Sequence, residues 1–294
     1  MVQEISITAG ESPKKLEKFL KKRFPVGYVR KLFRKNGVRL NERRAKPDDA
    51  VYPGDRVQLY FPFEKRPKSR RRSSPVQADL EIIFEDDEII IVNKPAGVAV
   101  HEGKGLLKRH SLLGMLEARY RPQGIAPRLV HRLDKDTSGV LLVAKSEGTA
   151  KQLEELFATE KLDKEYLCLL VGRLQHDQGT IDFPLPGRAA QPVRALTRFR
   201  VVERFSETTF VRANIVSGRM HQIRLHFAQY GHPVVMDDQY GDFSFNKRLR
   251  KQCPLRRQFL HASTLALPYR GKRHSWTAPL PSDLESALAF LADH

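Results

Sequence analysis

The sequence is poor in cysteine, in acidic residues and in long apolar runs. Its 294 residues include two cysteines, Cys168 and Cys253, and two thiols so far apart exclude the dense disulfide framework of small secreted proteins. No apolar run approaches the roughly 18 residues that span a bilayer, and the first residues lack the basic start and apolar core of a secretory signal. We therefore expect a soluble cytoplasmic protein with reduced thiols and no membrane partner.

The shortage of acidic residues leaves a positive charge that is unevenly distributed. The chain has 52 Lys and Arg against 34 Asp and Glu, a formal net charge of +18. Residues 1–78 contain 21 of the basic and 8 of the acidic residues, which is +13 of the total. A strongly basic surface attracts polyanions, and no basic stretch here accompanies a large apolar helix face that would insert into a membrane surface. Nucleic acid is the predicted partner.

The first 60 residues predict two short helices followed by a small β-element. A Ser-Pro pair at residues 12–13 provides an N-cap and a first helical position, and apolar residues then recur at helical spacing. The second helix is predicted to end at residues 36–37, Asn-Gly, where glycine can adopt the left-handed C-cap conformation. Alternating apolar and polar residues predict strands within residues 38–41 and 51–60.

The polar faces of both predicted helices are rich in lysine and arginine. A single such residue is usually solvated, but together they favour contact with phosphates, which positions RNA without reading its sequence. Residues 63–79 are basic, contain Pro and Ser, and lack apolar periodicity, so they predict a linker that is either a solvated tether or an arm that orders on RNA. The candidate RNA contacts are Lys18, Lys22, Arg30, Lys31, Arg34, Lys35, Arg70, Arg71 and Arg72.

From residue 80 onward, short strands are interspersed with a few helices. The predicted strands lie at residues 81–85, 89–92, 166–171 and 208–215, and the predicted helices at residues 112–120, 150–157, 220–230 and 284–292. There is no internal repeat and no alternating series of strands and crossover helices. These patterns predict an α+β fold with a mixed or antiparallel sheet.

Residues 129–145 place an acid and a base in a turn immediately before an apolar strand. Residues 137–139, Thr-Ser-Gly, supply turn chemistry, and residues 140–144 read as a strand with little exposure. Asp134 is therefore predicted at the mouth of a loop on a rigid support, where a reactive carboxylate can face a cleft. Spacing alone is equally consistent with a surface turn in which Arg132 forms a local ion pair.

The same segment, His-Arg-Leu-Asp-x-x-Thr-Ser-Gly at residues 131–139, resembles the signature of the RluA family of pseudouridine synthases. Further blocks in the order of that family lie at residues 93–97, 164–166, 218–226 and 259–262. The resemblance covers roughly residues 80–294 and is strongest to the branch that modifies several separated uridines of large-subunit ribosomal RNA. Met236 departs from the glycine that many members carry there, so the local turn is left open.

The resemblance implies an activity and a set of site residues. The implied activity is isomerisation of several uridines in 23S ribosomal RNA to pseudouridine, with no cofactor. Asp134 matches the catalytic aspartate, Arg224 its ion-pair partner, and Tyr166 the active-site tyrosine. The sequence does not choose between attack of the carboxylate on C1′ and removal of the C2′ proton.

Two further residues in the motifs keep alternative roles. Arg132 matches a residue that enters the RNA stack in place of the flipped base, or it contacts phosphate. Leu260 either packs against the base or belongs to the core. His221 and His226 are five residues apart with no ligand cluster beside them, so no metal site is predicted.

The resemblance also implies a domain organisation. Residues 1–62 resemble the S4 RNA-binding domain, residues 63–79 form the basic linker, and residues 80–294 form the catalytic domain with a central RNA-binding cleft. The alternatives are a catalytically silent ribosomal RNA-binding or assembly protein, and a glycosylase that releases uracil after the same first bond cleavage. No obligate protein partner is indicated, and a monomer is expected.

Overall fold

The structure, a computed structural model, describes residues 2–7, 14–21, 24, 26–34, 36–60, 80–102, 107–159, 161–186 and 191–293. Several predictions fall outside these residues. They concern the linker at residues 63–79, the Ser-Pro pair at residues 12–13, and the candidate RNA contacts Lys22, Lys35, Arg70, Arg71, Arg72 and the side chain of Lys31.

The strands are β1 (Val2–Ser6), β2 (Lys14–Lys15), β3 (Val38–Leu40), β4 (Arg43–Arg44), β5 (Ala50–Val51), β6 (Arg56–Tyr60), β7 (Glu81–Glu85), β8 (Ile89–Lys94), β9 (Arg128–Leu129), β10 (Ser138–Ala144), β11 (Asp163–Val171), β12 (Gln178–Ile181), β13 (Leu185–Pro186), β14 (Pro192–Val193), β15 (Thr197–Arg204), β16 (Thr208–Ile215), β17 (Leu260–Tyr269) and β18 (Lys272–Thr277). The α-helices are α1 (Leu16–Lys21), α2 (Val26–Arg34), α3 (Leu112–Tyr120), α4 (Glu147–Ala158), α5 (Gln222–Gln229), α6 (Phe243–Gln252) and α7 (Ser282–Ala292). Two short 3-10 helices flank α3, at Lys108–His110 and Arg121–Gln123.

The main sheet contains ten of the described strands. Eight follow the order β12-β15-β16-β11-β17-β10-β8-β7, with β18 beside β17 and β9 beside β10. Strands β10 and β17 are parallel, with Ser138 opposite His261, and the other neighbouring pairs are antiparallel. The predicted α+β fold with a mixed sheet is confirmed.

Strand β10 is buried on both faces, which explains its continuous apolar sequence. Leu141 and Val143 belong to the apolar cluster that contains Leu116 of α3. Val140 and Leu142 belong to the cluster that contains residues of α4. Because successive side chains of a strand point to opposite faces, α3 and α4 cover the two faces of the sheet at this strand. The loop before β10 therefore stands on a rigid core.

Among the described elements, the sequence patterns did not predict helix α6 or the strands β1, β12, β15, β17 and β18. Helix α6 shows why. Its apolar side chains on the buried face are Phe245 and Leu249, while most of its other positions are basic or polar, and this stripe is too short for a periodicity argument. Its start is set by Asp242, whose carboxylate accepts hydrogen bonds from the backbone N–H of Ser244 and Phe245 at 2.9 and 3.0 Å. This is an N-cap.

The N-terminal residues form a second sheet with the order β1-β6-β3-β4, next to α1 and α2. The first helix begins at Leu16, so its predicted start at residues 12–13 is wrong: Lys14–Lys15 pair as a strand with β5. The second helix ends where predicted, but Asn36 rather than Gly37 adopts the left-handed conformation, with φ 56°. The amides of Asn36 and Gly37 donate to the last turn of the helix at 3.0 and 2.8 Å, a Schellman C-cap.

The elements from β1 to β6, which we call the N-terminal unit, pack against helix α5. Leu225 and Ala228 of α5, with Tyr240, belong to the same apolar cluster as the N-terminal residues Phe19 and Leu20. Helix α2 also contacts α6. Within the part of the chain that the structure describes, no helix is long and apolar enough to cross a membrane.

Candidate active site

The Asp134 side chain lies at a cleft between the loop that precedes β10 and the start of α5. The cleft holds about 490 Å³ of space, part of it open to solvent, and its lining includes Arg132, Asp134, Tyr166, Arg224 and Leu260. The structure therefore brings together all five site residues that the sequence motifs indicated, although Arg224 is 90 residues from Asp134 along the chain.

Arg224 bridges Asp134 and a second carboxylate, Asp237. Its Nη1 donates to Asp134 Oδ2 at 2.8 Å. Its Nε and Nη2 donate to Asp237 Oδ2 and Oδ1 at 2.6 and 2.9 Å, a bidentate fork. The Arg224 side chain is 5% exposed and that of Asp237 is fully buried, whereas that of Asp134 is 15% exposed. The expected ion pair is confirmed, but sequence analysis missed Asp237 as its anchor.

Charge pairing overcomes the cost of burying Arg224 and Asp237. Although burial opposes the positive charge, the two carboxylates, Asp237 more strongly than Asp134, raise the pKa of Arg224. Burial likewise opposes the charge on Asp237, but the guanidinium of Arg224 and the backbone N–H groups of Tyr240 and Gln239 lower its pKa. Asp237 is therefore ionised at neutral pH and fixes Arg224 beneath the cleft.

The turn after Asp134 is closely packed, and this packing explains why residues 137–139 are two small polar residues and a glycine. Gly139 has φ +114°, and a Cβ there would lie 2.0 Å from the carbonyl oxygen of Ala262 in β17. Only glycine allows so close an approach. The hydroxyl of Thr137 accepts a hydrogen bond from Gln258 Nε2 at 2.7 Å, and Ser138 Oγ lies 3.0 Å from His261 Nδ1. These contacts fix the loop at its C-terminal end.

Lys94 fixes the same loop from below. Its ammonium group is fully buried and donates to the carbonyl oxygens of Pro95, Val98 and Lys135 at 2.9, 2.8 and 3.0 Å. Burial lowers the pKa of Lys94 to about 7, against the opposing charges of Asp136 and Asp134. The motif at residues 93–97 thus holds the backbone beside Asp134, a role that sequence analysis did not assign.

His131, the base that precedes Asp134 in the sequence, lies outside the cleft lining. Its Nε2 accepts a hydrogen bond from the backbone N–H of Leu142 at 2.9 Å, and its ring stacks on Phe157 at 4.9 Å between centroids. Burial, and then the charge of Lys164, lower the pKa of His131 to about 3. It is a neutral structural acceptor.

Tyr166 and Leu260 form apolar walls of the cleft. Both are buried, belong to the main core cluster and line the cleft. Contact of Leu260 with a bound base stays a prediction. Burial, and then the negative charge of Asp134, raise the pKa of Tyr166. Its phenol is therefore protonated at neutral pH, and its side chain lines the cleft.

Arg132 stands at the mouth of the cleft. Its side chain is exposed, and Met220, 51% exposed, lines the same cleft. Two long side chains at the rim, one cationic and one apolar, suit contact with a nucleic acid strand.

His221 also faces Asp134. Its Nε2 is 3.5 Å from Asp134 Oδ1, and its Nδ1 is 2.9 Å from the hydroxyl of Tyr240. The backbone of His221 is left-handed, with φ 55°, so α5 begins at Gln222 rather than at residue 220 as predicted. Sequence analysis considered His221 only as a metal ligand; no set of three His, Cys, Asp or Glu side chains suited to a metal ion occurs among the described residues.

Of the candidate RNA contacts in the N-terminal unit, three side chains are described. Lys18 of α1 and Arg30 and Arg34 of α2 are all exposed. They carry a positive surface next to α6, which has four exposed cations of its own, Lys247, Arg248, Arg250 and Lys251. The basic charge predicted from composition is therefore presented to solvent on neighbouring helices.

Comparison with known proteins identifies relatives that align with nearly the whole chain. The family profile described as RNA pseudouridylate synthase matches residues 88–229. Ribosomal large subunit pseudouridine synthase C of Haemophilus ducreyi is 35% identical over 312 aligned positions, covering 99% of this chain and 96% of that protein. The protein of the same name from Escherichia coli K12 is 36% identical over 315 positions, covering 99% and 97%.

A solved structure has a similar fold over most of the chain. Human RNA pseudouridylate synthase domain containing 4 superposes with a TM-score of 0.60 at 25% identity, over 72% of this chain and 92% of that chain. The paired Asp134 and Arg224, the tyrosine beside them and an identity above one third over nearly the full length lead to one conclusion. The chain belongs to the RNA pseudouridylate synthase family.

Proposed function

We propose that this protein isomerises several uridines of 23S ribosomal RNA, in the large ribosomal subunit, to pseudouridine. The observation that carries the proposal is the state of Asp134: one carboxylate oxygen is held by Arg224 at 2.8 Å, while the side chain stays 15% exposed at a cleft. The substrate follows from the relatives named as large-subunit synthases, which match 99% of this chain.

The reaction breaks the N1–C1′ bond of uridine, turns the bound uracil and joins C5 to C1′, after which the C5 proton leaves. Product and substrate are isomers, so the reaction requires no redox cofactor. We assign Asp134 as the catalytic carboxylate, because its ionised form can attack C1′ or remove the C2′ proton. Arg224 pairs with this carboxylate at 2.8 Å and orients it. Both routes are compatible with this arrangement.

The cleft walls suit a uracil that has left its helix. We assign Tyr166 to stacking on the extruded base and Leu260 to the opposing apolar contact. Arg132, exposed at the rim, fills the space that the base leaves in the RNA, or binds the adjacent phosphate. Each role requires contact with RNA, and none requires a metal ion.

We assign the N-terminal residues 1–62 to an S4-type RNA-binding domain, residues 63–79 to a basic linker, and residues 80–294 to the catalytic domain. The exposed cations Lys18, Arg30 and Arg34 support phosphate contact by the first of these. Lys22, Lys31 and Lys35 of the same segment, and Arg70, Arg71 and Arg72 of the linker, extend this assignment by sequence alone. We further propose that the protein acts as a monomer in the cytoplasm.

The test is a map of pseudouridine in ribosomal RNA from cells that lack the gene, by carbodiimide treatment and primer extension. Wild-type protein, Asp134→Asn or Asp136→Asn is supplied back. We expect specific large-subunit stops to vanish without the gene and to return with wild type and with Asp136→Asn, a matched change two residues away whose side chain is outside the cleft lining. Asp134→Asn should restore none.

The alternatives give different results in the same experiment. A silent RNA-binding or assembly protein leaves the map unchanged in all strains. A glycosylase releases free uracil and leaves abasic sites, which are detected by nucleoside chromatography. Either result overturns the proposed function.

A further inference from the structure

His221 has two neighbours that connect it to the reaction centre on one side and to a buried network on the other. Its Nε2 faces Asp134 Oδ1 at 3.5 Å, the carboxylate oxygen opposite the one that Arg224 holds. Its Nδ1 is 2.9 Å from Tyr240 Oη. The two ring nitrogens of histidine differ in role, and the partner of one fixes the proton on the other.

Tyr240 connects His221 to Gln239, and these contacts bear on which ring nitrogen of His221 carries the proton. In the arrangement that we infer, Gln239 Nε2 donates to Tyr240 Oη at 2.8 Å and the phenol O–H donates to His221 Nδ1 at 2.9 Å. Nδ1 then accepts, and the proton of the neutral imidazole lies on Nε2. Burial lowers the pKa of His221, although Asp134 acts in the opposite direction. The ring is therefore neutral, with its Nε2–H directed at Asp134 Oδ1.

Tyr240 is itself held in place by three kinds of contact. The guanidinium of Arg224 lies 5.1 Å from the centre of its ring, a cation–π contact. The ring also belongs to the apolar cluster of the N-terminal unit, and its backbone N–H donates to Asp237 Oδ1 at 2.9 Å. The anchor of His221 is thus rigid.

We propose that His221 is a positioning residue for Asp134: Tyr240 sets its tautomer, and its Nε2–H orients the carboxylate oxygen that reacts. The proposal rests on the proposed function and adds a group to it. The distance of 3.5 Å is longer than a full hydrogen bond, so His221 constrains the direction of Oδ1 without a close hydrogen bond to it. A bidentate arginine on both oxygens would hold the carboxylate but quench its reactivity.

The test measures the single-turnover rate and the RNA affinity of full-length variants on a 23S ribosomal RNA fragment. Tyr240→Phe removes only the hydroxyl and should lower the rate about tenfold with unchanged affinity. Tyr230→Phe, the same change at the C-cap of α5, is the control and should match wild type.

Two changes at position 221 separate positioning from a structural role. His221→Ala should lower the rate about 100-fold, and His221→Gln, which restores an N–H donor, should recover about tenfold of that loss. Both carry the same backbone strain at φ 55°, so their difference reports the donor. Equal rates for Ala and Gln, or a loss confined to RNA affinity, would contradict the proposal.

A measurement on the free protein keeps this inference distinct from the proposed function. ¹⁵N NMR of the His221 ring should show the neutral Nε2–H tautomer in wild type and a mixture of tautomers in Tyr240→Phe. If wild type makes no pseudouridine, the proposed function fails, whereas an Nδ1–H tautomer or a protonated ring at neutral pH overturns the role of His221.

Discussion

The two sides of Arg224 differ in how completely their polar groups are paired. On the buried side, Asp237 accepts two bonds from Arg224 and two from the backbone N–H groups of Gln239 and Tyr240, at 2.6 to 2.9 Å. On the side of the cleft, Asp134 accepts one bond from Arg224 at 2.8 Å and lies 3.5 Å from His221. We call these the support side and the cleft side.

The difference teaches how a rigid site keeps a reactive group. A buried ion pair with all its hydrogen bonds made is rigid. Removing either partner is strongly destabilising, because the other charge is then buried and unpaired. A carboxylate with an oxygen free for chemistry is tolerated only where its surroundings are already fixed. Lys94 and His131 extend the support side along the loop, since each satisfies backbone groups beside Asp134.

The largest effect is expected on the cleft side. Asp134→Asn should lower the rate of isomerisation about 10⁴-fold, about 5 kcal/mol of activation free energy. The fold should be unaffected, because Arg224 keeps its fork to Asp237. Single-turnover kinetics, RNA binding and urea denaturation test this together. Turnover above about one hundredth of wild type would remove Asp134 from the chemistry.

The same substitution on the support side should act on stability. Asp237→Asn leaves the buried Arg224 without its main counter-charge and should lower the free energy of unfolding by about 3 to 5 kcal/mol. Urea denaturation of Asp237→Asn beside Asp134→Asn checks it. If both variants lose the same stability, the contrast between the two sides is wrong.

A smaller effect on the support side depends on pH. The folded pKa of His131, about 3, lies below the unfolded value of 6.5, so between these values the unfolded chain binds a proton that the folded chain does not. This contribution to stability is complete above pH 6.5 and is lost as pH falls, by about 2 kcal/mol over the first two pH units.

The variant that isolates this contribution is His131→Gln. Its amide oxygen can accept the bond from Leu142 but does not titrate in this range. The wild-type minus variant difference in unfolding free energy should therefore decline on acidification. A difference that is constant with pH would mean that His131 titrates normally.

The smallest effect concerns the N-terminal cations. The double variant Arg30→Gln, Arg34→Gln should weaken RNA binding and reduce the slope of log affinity against log salt by about 1.5 to 2, with little change in the rate at saturating RNA. Lys151→Gln, an exposed cation of α4, is the control. An unchanged slope would remove these residues from the RNA interface.

Local sequence patterns predicted the elements well where apolar periodicity is long. Helix α3 has the predicted bounds and strand β16 covers the predicted residues. They failed at α6, whose apolar stripe is short, and at the start of α1, where Lys14–Lys15 pair with residues distant in the sequence. The use of Asn36 in place of Gly37 for the C-cap shows that neighbouring residues compete for one conformation.

The five residues that the motifs named line one cleft, and their roles stay predictions. The motifs missed the residues that hold these five in place. Asp237 had one available signal: a buried arginine with a single carboxylate partner leaves donors to be satisfied. The sequence left the turn at Met236 open, and the structure shows a left-handed backbone there, with φ 60°, a conformation that glycine adopts at no cost.

The sequence by itself determined three features of this protein: its basic charge, the apolar strand that follows a loop with a candidate reactive carboxylate, and the Asp, Tyr and Arg motifs in the order of a family. The tertiary structure decided which oxygen of Asp134 is held, which carboxylate anchors Arg224, and that Tyr240 joins His221 to the core of the N-terminal unit. The physical reason is that these contacts join residues distant in the sequence: Arg224 and Asp134 are 90 positions apart, and Tyr240 is still farther from the N-terminal residues that it packs against. Such contacts depend on how the buried surfaces pack, which no local pattern encodes.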